Sequence, residues 1–374
     1  MLAMRSTRAF DGERFVDNLV VVIEGATIVS AGAETPAGID VIDLGDALLA
    51  PGLVDTHQHL IFTGVGTLEE QVTDVSTDEL RERARANARR ALRAGITTIR
   101  DLGDRDYVTV DLADDPTLPT ILPAGPPLTV VQGHCWFLGG ECADTDALVA
   151  AVHEHKARGC AVIKVMMTGG ALTPTFPMWK SQFSTGELRL IIETAHAEGL
   201  PVATHCHGTG GIASAVEAGV DTIEHCSFFG ESGRSEPDEV LLKAIVAAGI
   251  PVSATLGRLP GMDPPPVIQA NYDTMVGGLR LFHQLGGTIV VGTDAGVGPP
   301  KPHDVIAHAL VELAMTGMTE EHALAAMTSR AARVIGVGDR KGRLASGYDA
   351  DIAAFGDDAL LDVRGVWLRG ERVV

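Results

Sequence analysis

Hydrophobic positions along the chain change their spacing twice. Over residues 1–50 they come in short β-branched runs, Leu19 to Ile23, Ala26 to Ser30 and Val41 to Leu44, around turn signals at Asp11-Gly12 and Glu24-Gly25. No helical period occurs there. The same style returns near the end, in Gly342 to Leu344, Ile352 to Phe355 and Gly365 to Val374. Neither flank is large enough to bury a core alone. Residues 1–50 and 339–374 are therefore expected to build one small β-sandwich domain together.

Between the flanks, apolar runs alternate with amphipathic stretches. A first strand, Leu48 to Val54, is followed by a capping box, Ser76-x-x-Glu79, and a helix with Leu80, Ala84, Ala88, Ala91 and Leu92 on one face. Strand Ile96 to Leu102, strand Leu128 to Gln132, helix Asp144 to Arg158 and strand Ala161 to Met167 come next. A helix capped by Ser184-x-x-Glu187 leads to strands Pro201 to Thr204 and Val220 to Glu224, with a short helix, Gly211 to Glu217, between them. Helix Glu239 to Ala248, strand Pro251 to Ala254, helical Val267 to Leu285 and strand Thr288 to Gly292 continue the alternation. Helices Asp304 to Met315 and Glu320 to Ile335 close it. Eight near-continuously apolar strands separated by helices predict an α/β protein, a (β/α)8 TIM barrel over residues 51–338. A doubly wound sheet is the rival, but the Gly-x-Gly-x-x-Gly turn it favours is missing after the first strand.

Composition narrows the class. The 374 residues are 45% hydrophobic and 21% charged, which fits a folded enzyme and excludes wholesale disorder. A net charge of −20 opposes binding to nucleic acid or to anionic membranes. No run approaches the roughly 20 apolar residues of a membrane helix, and the first residues show no signal-peptide pattern. Five cysteines without a Cys-x-x-Cys pair fit a reducing, cytoplasmic setting.

Barrel enzymes carry their chemistry at the C-terminal ends of the strands. Strand one ends in His57-Gln58-His59, whose i, i+2 spacing puts both imidazoles on one face. Strand four holds a lysine, Lys164, inside the apolar run Val162 to Met167. Strand five ends in His205 and His207, strand six in Glu224-His225, and strand eight in Thr293-Asp294. Each ending is a weak signal alone; five of eight strands ending in metal-ligand types is a strong one. Imidazoles and carboxylates suit zinc, with manganese, iron and cobalt as alternatives.

These motifs resemble the amidohydrolase superfamily of metal-dependent hydrolases. The likeness runs through Pro51-Gly52-Leu53-Val54-Asp55-Thr56-His57-Gln58-His59, Ile163-Lys164-Val165, Ala203-Thr204-His205, Ile223-Glu224-His225 and Val291-Gly292-Thr293-Asp294, and reaches Gly347-Tyr348-Asp349-Ala350-Asp351-Ile352. The context of Lys164 with Thr168-Gly169-Gly170 is similar to the branch of carboxy-lysine prolidases and imidazolonepropionase-like enzymes. The resemblance implies two Zn2+ ions per chain. His57, His59 and Asp294 would hold one and His205 and His225 the other, with Lys164 bridging them after adding CO2 as a carbamate. It implies hydrolysis of an amide-type C–N bond (dipeptide, N-acyl amino acid, cyclic amide or urea-like compound) by a metal-activated water, with Asp294 as general base. A mononuclear zinc deaminase of the same superfamily is the alternative, although such enzymes characteristically lack a strand-four lysine. A non-catalytic binding protein on the same fold is the remote one. The resemblance also implies a homo-oligomer.

Further residues are candidates for substrate contact. His134, after strand three, is placed to bind a carbonyl oxygen, and His207 is either a substrate donor or a supporting residue. His303 is a weaker candidate. Arg100 and Asp101 are expected to pair with each other. Cys206 and Cys226 are expected to point away from the metals. The segment Gly169 to Phe183 is unusually apolar for a loop, and its Leu172, Phe176, Met178 and Trp179 suggest a pocket wall; Leu256 to Pro266 follows strand seven in the same style. We expect a small-molecule substrate with a hydrophobic part, with Trp179 among its contacts. A substrate carboxylate would find a cation in Arg105, Lys180 or Arg258.

Overall fold

Gly52 splits the apolar run Leu48 to Val54 into two strands with different partners. Before it come β1 (Leu2–Phe10), β2 (Phe15–Glu24), β3 (Thr27–Gly32), β4 (Asp40–Asp43) and β5 (Leu48–Pro51). A Cβ at position 52 would collide with the Thr97 side chain, so only glycine lets the two backbones approach. Beyond it run β6 (Leu53–Gln58), α1 (Thr77–Arg93), β7 (Ile96–Asp101), β8 (Thr120–Pro123), the short pair β9 (Thr129–Val130) and β10 (Glu141–Cys142), and α2 (Thr145–Arg158). They are followed by β11 (Ile163–Met166), α3 (Thr185–Ala197), β12 (Val202–Gly208), α4 (Thr209–Ala218), β13 (Thr222–Phe229), α5 (Glu239–Ala248), β14 (Val252–Thr255), α6 (Pro266–Gln284) and β15 (Ile289–Gly292). Helices α7 (Ala309–Met315), α8 (Glu320–Ala326) and α9 (Ser329–Val334) precede β16 (Ile352–Phe355), β17 (Val363–Leu368) and β18 (Glu371–Arg372). This computed structural model describes residues 1–173, 176–356 and 360–374; Pro174, part of the apolar loop, lies outside them.

Strands from both ends of the chain share one sheet in the order β18-β17-β16-β5-β1-β2-β3, with β4 on β1. Its buried face carries Met4, Val21, Ile28, Leu49, Ile352 and Trp367. The remainder is mixed α/β with two parallel ladders, β6-β7-β8 and β11-β12-β13-β14-β15. Two sets of backbone hydrogen bonds run between the ladders. Ala161 N–H donates to Pro123 O (2.8 Å) and Leu128 N–H to Lys164 O (2.8 Å); Asp294 N–H donates to His57 O (2.7 Å) and His59 N–H to Ala295 O (3.0 Å). The helices pack outside the ladders through the faces their spacing predicts: Leu80, Ala84, Ala88, Ala91 and Leu92 of α1 are buried. Ser184 and Glu187 form the reciprocal capping box at α3.

Three expectations are corrected. The third ladder strand is Thr120–Pro123, paired with β7 from Thr98↔Thr120 to Asp101↔Pro123. Its flanking prolines make it read as a loop, yet Pro123 needs to supply only its carbonyl, to Ala161. The apolar run from Leu128 contributes a bridge to Val165 and then the short β9. The helix expected from Asp304 begins as a 3-10 turn, Val305–His308, and the one expected over Glu320 to Ile335 breaks between α8 and α9, where Thr328 leaves helical geometry at φ −138°. Among the described residues no helix is long and apolar enough to cross a membrane.

Candidate metal centre

The strand ends deliver their side chains to one cavity of about 370 Å³. His57 and His59 leave β6 on the same face, with their Nε2 atoms 3.3 Å apart. Asp294, the second residue past β15, brings Oδ1 to 3.5 Å from His57 Nε2 and 3.3 Å from His59 Nε2. It does so from a left-handed backbone at φ 58°, a conformation that costs a non-glycine residue free energy and clusters at functional sites. His225 of β13, also left-handed (φ 66°), sets its Nε2 3.0 Å from Nδ1 of His205 on β12. His57, His59 and Asp294 form one group of converging donor atoms, and His205, His207 and His225 a second.

The outer nitrogens decide what the inner ones can do. His57 Nδ1 lies 2.9 Å from Glu224 Oε2 and His59 Nδ1 3.1 Å from the Gly103 carbonyl, so both Nδ1 atoms carry the proton. Both Nε2 atoms then present lone pairs to each other and to Asp294. His205 Nε2 lies 3.1 Å from the Gly169 carbonyl, which leaves its Nδ1 as a lone pair facing His225. Thr255 Oγ1, 3.0 Å from His225 Nδ1, orients that ring. At His57, His59 and Asp294 lone pairs converge without a hydrogen between them, which fits a bound cation, and outer partners of this kind are how proteins aim imidazole ligands. Buried Lys164 lines the same cavity, and among the described residues its Nζ has no hydrogen-bond partner.

Electrostatics agree with that assignment for His57, His205 and His225, whereas against burial Asp294 raises His59 above its ordinary value. Burial, with Lys164 nearby, pushes the His57 pKa down to about 4; burial also holds His205 and His225 well below their ordinary value. All three are neutral, and so ligand-competent, at pH 7. Burial likewise lowers Lys164 to about 8. For Asp294 burial acts upward, but His57 and His59 overcome it and keep the carboxylate well below its ordinary range. Glu224 behaves in the same way, held ionised against burial by Arg100, whose Nη2 is 2.8 Å away, and by His57.

Other expected residues divide. His134 lines the cavity with Nδ1 2.8 Å from Thr173 Oγ1, its ring packed so closely on Gly170 that a Cβ there would strike it. His207 also lines it, Nδ1 3.0 Å from Ser227 Oγ. Trp179 does not. The loop folds back through Gly169 N–H donating to Lys180 O, and the Trp179 backbone sits against Gly208; Leu172 lines the cavity from that loop, opposite Leu256 and Pro264. Arg100 pairs with Glu224 rather than Asp101, which instead accepts from Leu60 N–H (2.7 Å). Cys226 lines the cavity instead of pointing away, while Cys206 is buried in the core; all five cysteines are free thiols. His303 lies outside the cavity, with Nδ1 3.0 Å from Gln58 Oε1 and Nε2 2.9 Å from Phe62 O. Of the three cations considered for a carboxylate, only Arg258 lines the cavity. The Arg105 guanidinium is spent on the carbonyls of Val72 and Val75, and Lys180 is exposed beside Phe176. The sequence reading missed Glu224 and Asp55 as supports. Asp55 accepts from Thr293 N–H (2.9 Å), Thr293 Oγ1 (2.6 Å) and Gln58 Nε2 (2.7 Å), tying β6 to the end of β15. The available signal was a carboxylate within a buried apolar strand, the same one that exposed Lys164.

Comparison with known proteins gives this geometry its relatives. Ochratoxinase from Aspergillus niger is 28% identical over 357 residues, covering 85% of this chain and 72% of that protein. Imidazolonepropionase from Deinococcus deserti is 26% identical over 409 residues, covering 96% and 92%. A solved structure of a Xaa-Pro dipeptidase with methionine bound in its active site superposes at a TM-score of 0.85 with 24% identity, covering 99% of each chain; it speaks to the fold. The family model described as Amidohydrolase family matches residues 48–373, from β5 almost to the C-terminus. That span contains every donor atom described above, and the chain is accordingly a hydrolase belonging to the amidohydrolase family.

Proposed function

We propose that this protein hydrolyses an amide-type C–N bond of a small molecule at a two-cation centre, inside a (β/α)8 barrel. The hydrogen bonds on both sides of the two parallel ladders support closure of the barrel. The sheet shared by strands from both ends of the chain supports a division into residues 51–338 for the barrel and 1–50 with 339–374 for a small β domain. The observation that carries the functional reading is the convergence of two groups of metal-ligand atoms, with His57, His59 and the ionised Asp294 meeting without intervening hydrogens.

His57, His59 and Asp294 would hold one cation and His205 and His225 the other; zinc suits this donor set. When bound, such ions polarise a carbonyl and bring the pKa of coordinated water from 15.7 to about 7. Lys164 becomes useful to them only as an anion. The neutral fraction of its buried amine would add CO2, forming an N–C bond and releasing a proton, and Lys164 as a carbamate would offer two oxygens to the cations. Asp294 takes the proton of the attacking water and returns it to the departing nitrogen. Thr173 Oγ1 orients the His134 ring through Nδ1 (2.8 Å), and with Nε2 protonated His134 would donate to the substrate carbonyl oxygen. His207 is left to contact the substrate.

The apolar walls from Leu172, Leu256, Ile268, Val276 and Leu279 favour a substrate with a hydrophobic part. Arg258, stacked on Tyr272 with its guanidinium carbon 4.2 Å from the ring centroid, would read a carboxylate at the outer end. The relatives' names, ochratoxinase and Xaa-Pro dipeptidase among them, are consistent with an N-acyl amino acid or dipeptide. Five unpaired cysteines suit a reducing cytoplasm. A screen of N-acyl amino acids, dipeptides, cyclic amides and ureas with zinc- and manganese-loaded protein tests the reading; release of ammonia from an amino-heterocycle without hydrolysis of any amide would replace it with a deaminase.

A further inference from the structure

Lys301 follows β15 on the loop that carries Asp294, and its side chain turns back into the cavity wall. Its Nζ donates to three backbone carbonyls: Thr293 O at 2.7 Å, Thr255 O at 2.9 Å and Gly257 O at 3.3 Å. An ammonium has three N–H donors and no acceptor, so these bonds use all of them and leave none for a substrate. Asp294, Glu312 and Asp55 supply the negative charge around it.

What the three carbonyls belong to gives the lysine its significance. Thr293 directly precedes Asp294. Thr255 is the residue whose Oγ1 orients His225. The ladder between β14 and β15 ends at the pair Thr255↔Gly292, so past that point no strand pairing holds these segments in register. Lys301 takes over there with a single cation that grips both strand ends. Lys164 lines the same cavity with its Nζ unpartnered among the described residues; Lys301 spends its Nζ on backbone next to one member of each group.

We infer that Lys301 is a positioning residue that sets the Asp294 carboxylate and the His225 imidazole relative to each other, and thereby couples the geometry of the two cation sites. This rests on the metal reading above, and Co2+ separates the two. Wild-type protein, Lys301→Met and Lys301→Arg are titrated with Co2+ against a competing chelator while the visible ligand-field bands are recorded. Lys341→Met serves as the control, since Lys341 is a buried lysine bound to Asp349 (2.9 Å) and Asp351 (2.5 Å) in the terminal region, away from the cavity. Lys301→Met should bind Co2+ at least tenfold more weakly with altered bands, whereas Lys341→Met should melt earlier yet keep wild-type bands and affinity. Lys301→Arg keeps the charge, but its flat fork cannot converge on three carbonyls; it should fold and still show shifted bands. Should Lys301→Met fail to fold, wild-type bands in Lys301→Arg overturn the inference. Wild-type bands and affinity in Lys301→Met overturn it as well. If the wild-type chain itself binds no Co2+, the metal reading falls first.

Discussion

Individual side chains in this site are defined less by their own identity than by the group behind them. His57 presents an open Nε2 because its Nδ1–H donates to Glu224, and Glu224 stays ionised because Arg100 lies 2.8 Å away. Glu224→Gln should therefore weaken metal binding by about 10- to 100-fold, the usual cost of losing an outer carboxylate, measured by chelator competition; an unchanged affinity would refute that role. Asp294→Asn removes the proton acceptor and should lower kcat by about 10²- to 10⁴-fold. Lys164→Ala should abolish turnover, with partial recovery on adding a short carboxylic acid that occupies the bridge; full activity in that variant would remove the bridge. The sequence showed the ligand types at this scale because each follows an apolar run. It did not show their supports, since Asp55 and Glu224 carry no spacing signal and find their partners only through folding. Trp179 misled for a related reason: a large aromatic in a loop announces packing, not the side on which it packs, and Trp179 is half-buried away from the cavity.

Elements were legible where periodicity and caps agree and obscure where backbone geometry decides. Ser76 and Ser184 open α1 and α3 as their capping patterns predict, and the burial of each helix face follows from its spacing. The third ladder strand was hidden by prolines, and the break at Thr328 has no residue type that marks it. Glycines at contact points belong to the same class. Gly170 is flanked by ordinary loop residues, yet it is where the His134 ring rests. Gly170→Ala should displace that ring and lower kcat/KM while leaving the metal content at its wild-type value. Equal losses of metal and activity would place the damage in the ligand clusters instead.

At the scale of the whole molecule, burying so many histidines has a consequence for stability. His57, His207 and His303 are pushed down to about 4 and His134 to about 3, first by burial, and His205 and His225 lie well below 6.5. In the metal-free protein these six stay neutral while the unfolded chain's histidines take up protons. Stability is thus lost as pH falls from 6.5 toward 4, by about 1.4 kcal/mol per pH unit for each fully uncoupled group. Burial acts the other way on three carboxyls, raising Asp55 and Asp101 to about 6 and Asp104 to about 8. Between their unfolded value near 3.8 and these raised values the folded state binds more protons, so they favour it as pH falls. His59, raised by Asp294 against burial, acts in the same direction. Six outweigh these four: the metal-free chain should have a lower Tm at pH 5 than at pH 7, and an equal or higher one would contradict the neutral, buried state of the cluster. Net charge and composition gave no hint of this, because −20 counts all charged residues alike and does not say which histidines are buried. The most direct test of the account is the number of metal ions bound per chain after reconstitution with zinc in bicarbonate buffer, measured by elemental analysis. Two per chain is the predicted result; one or none would contradict the two-cation centre.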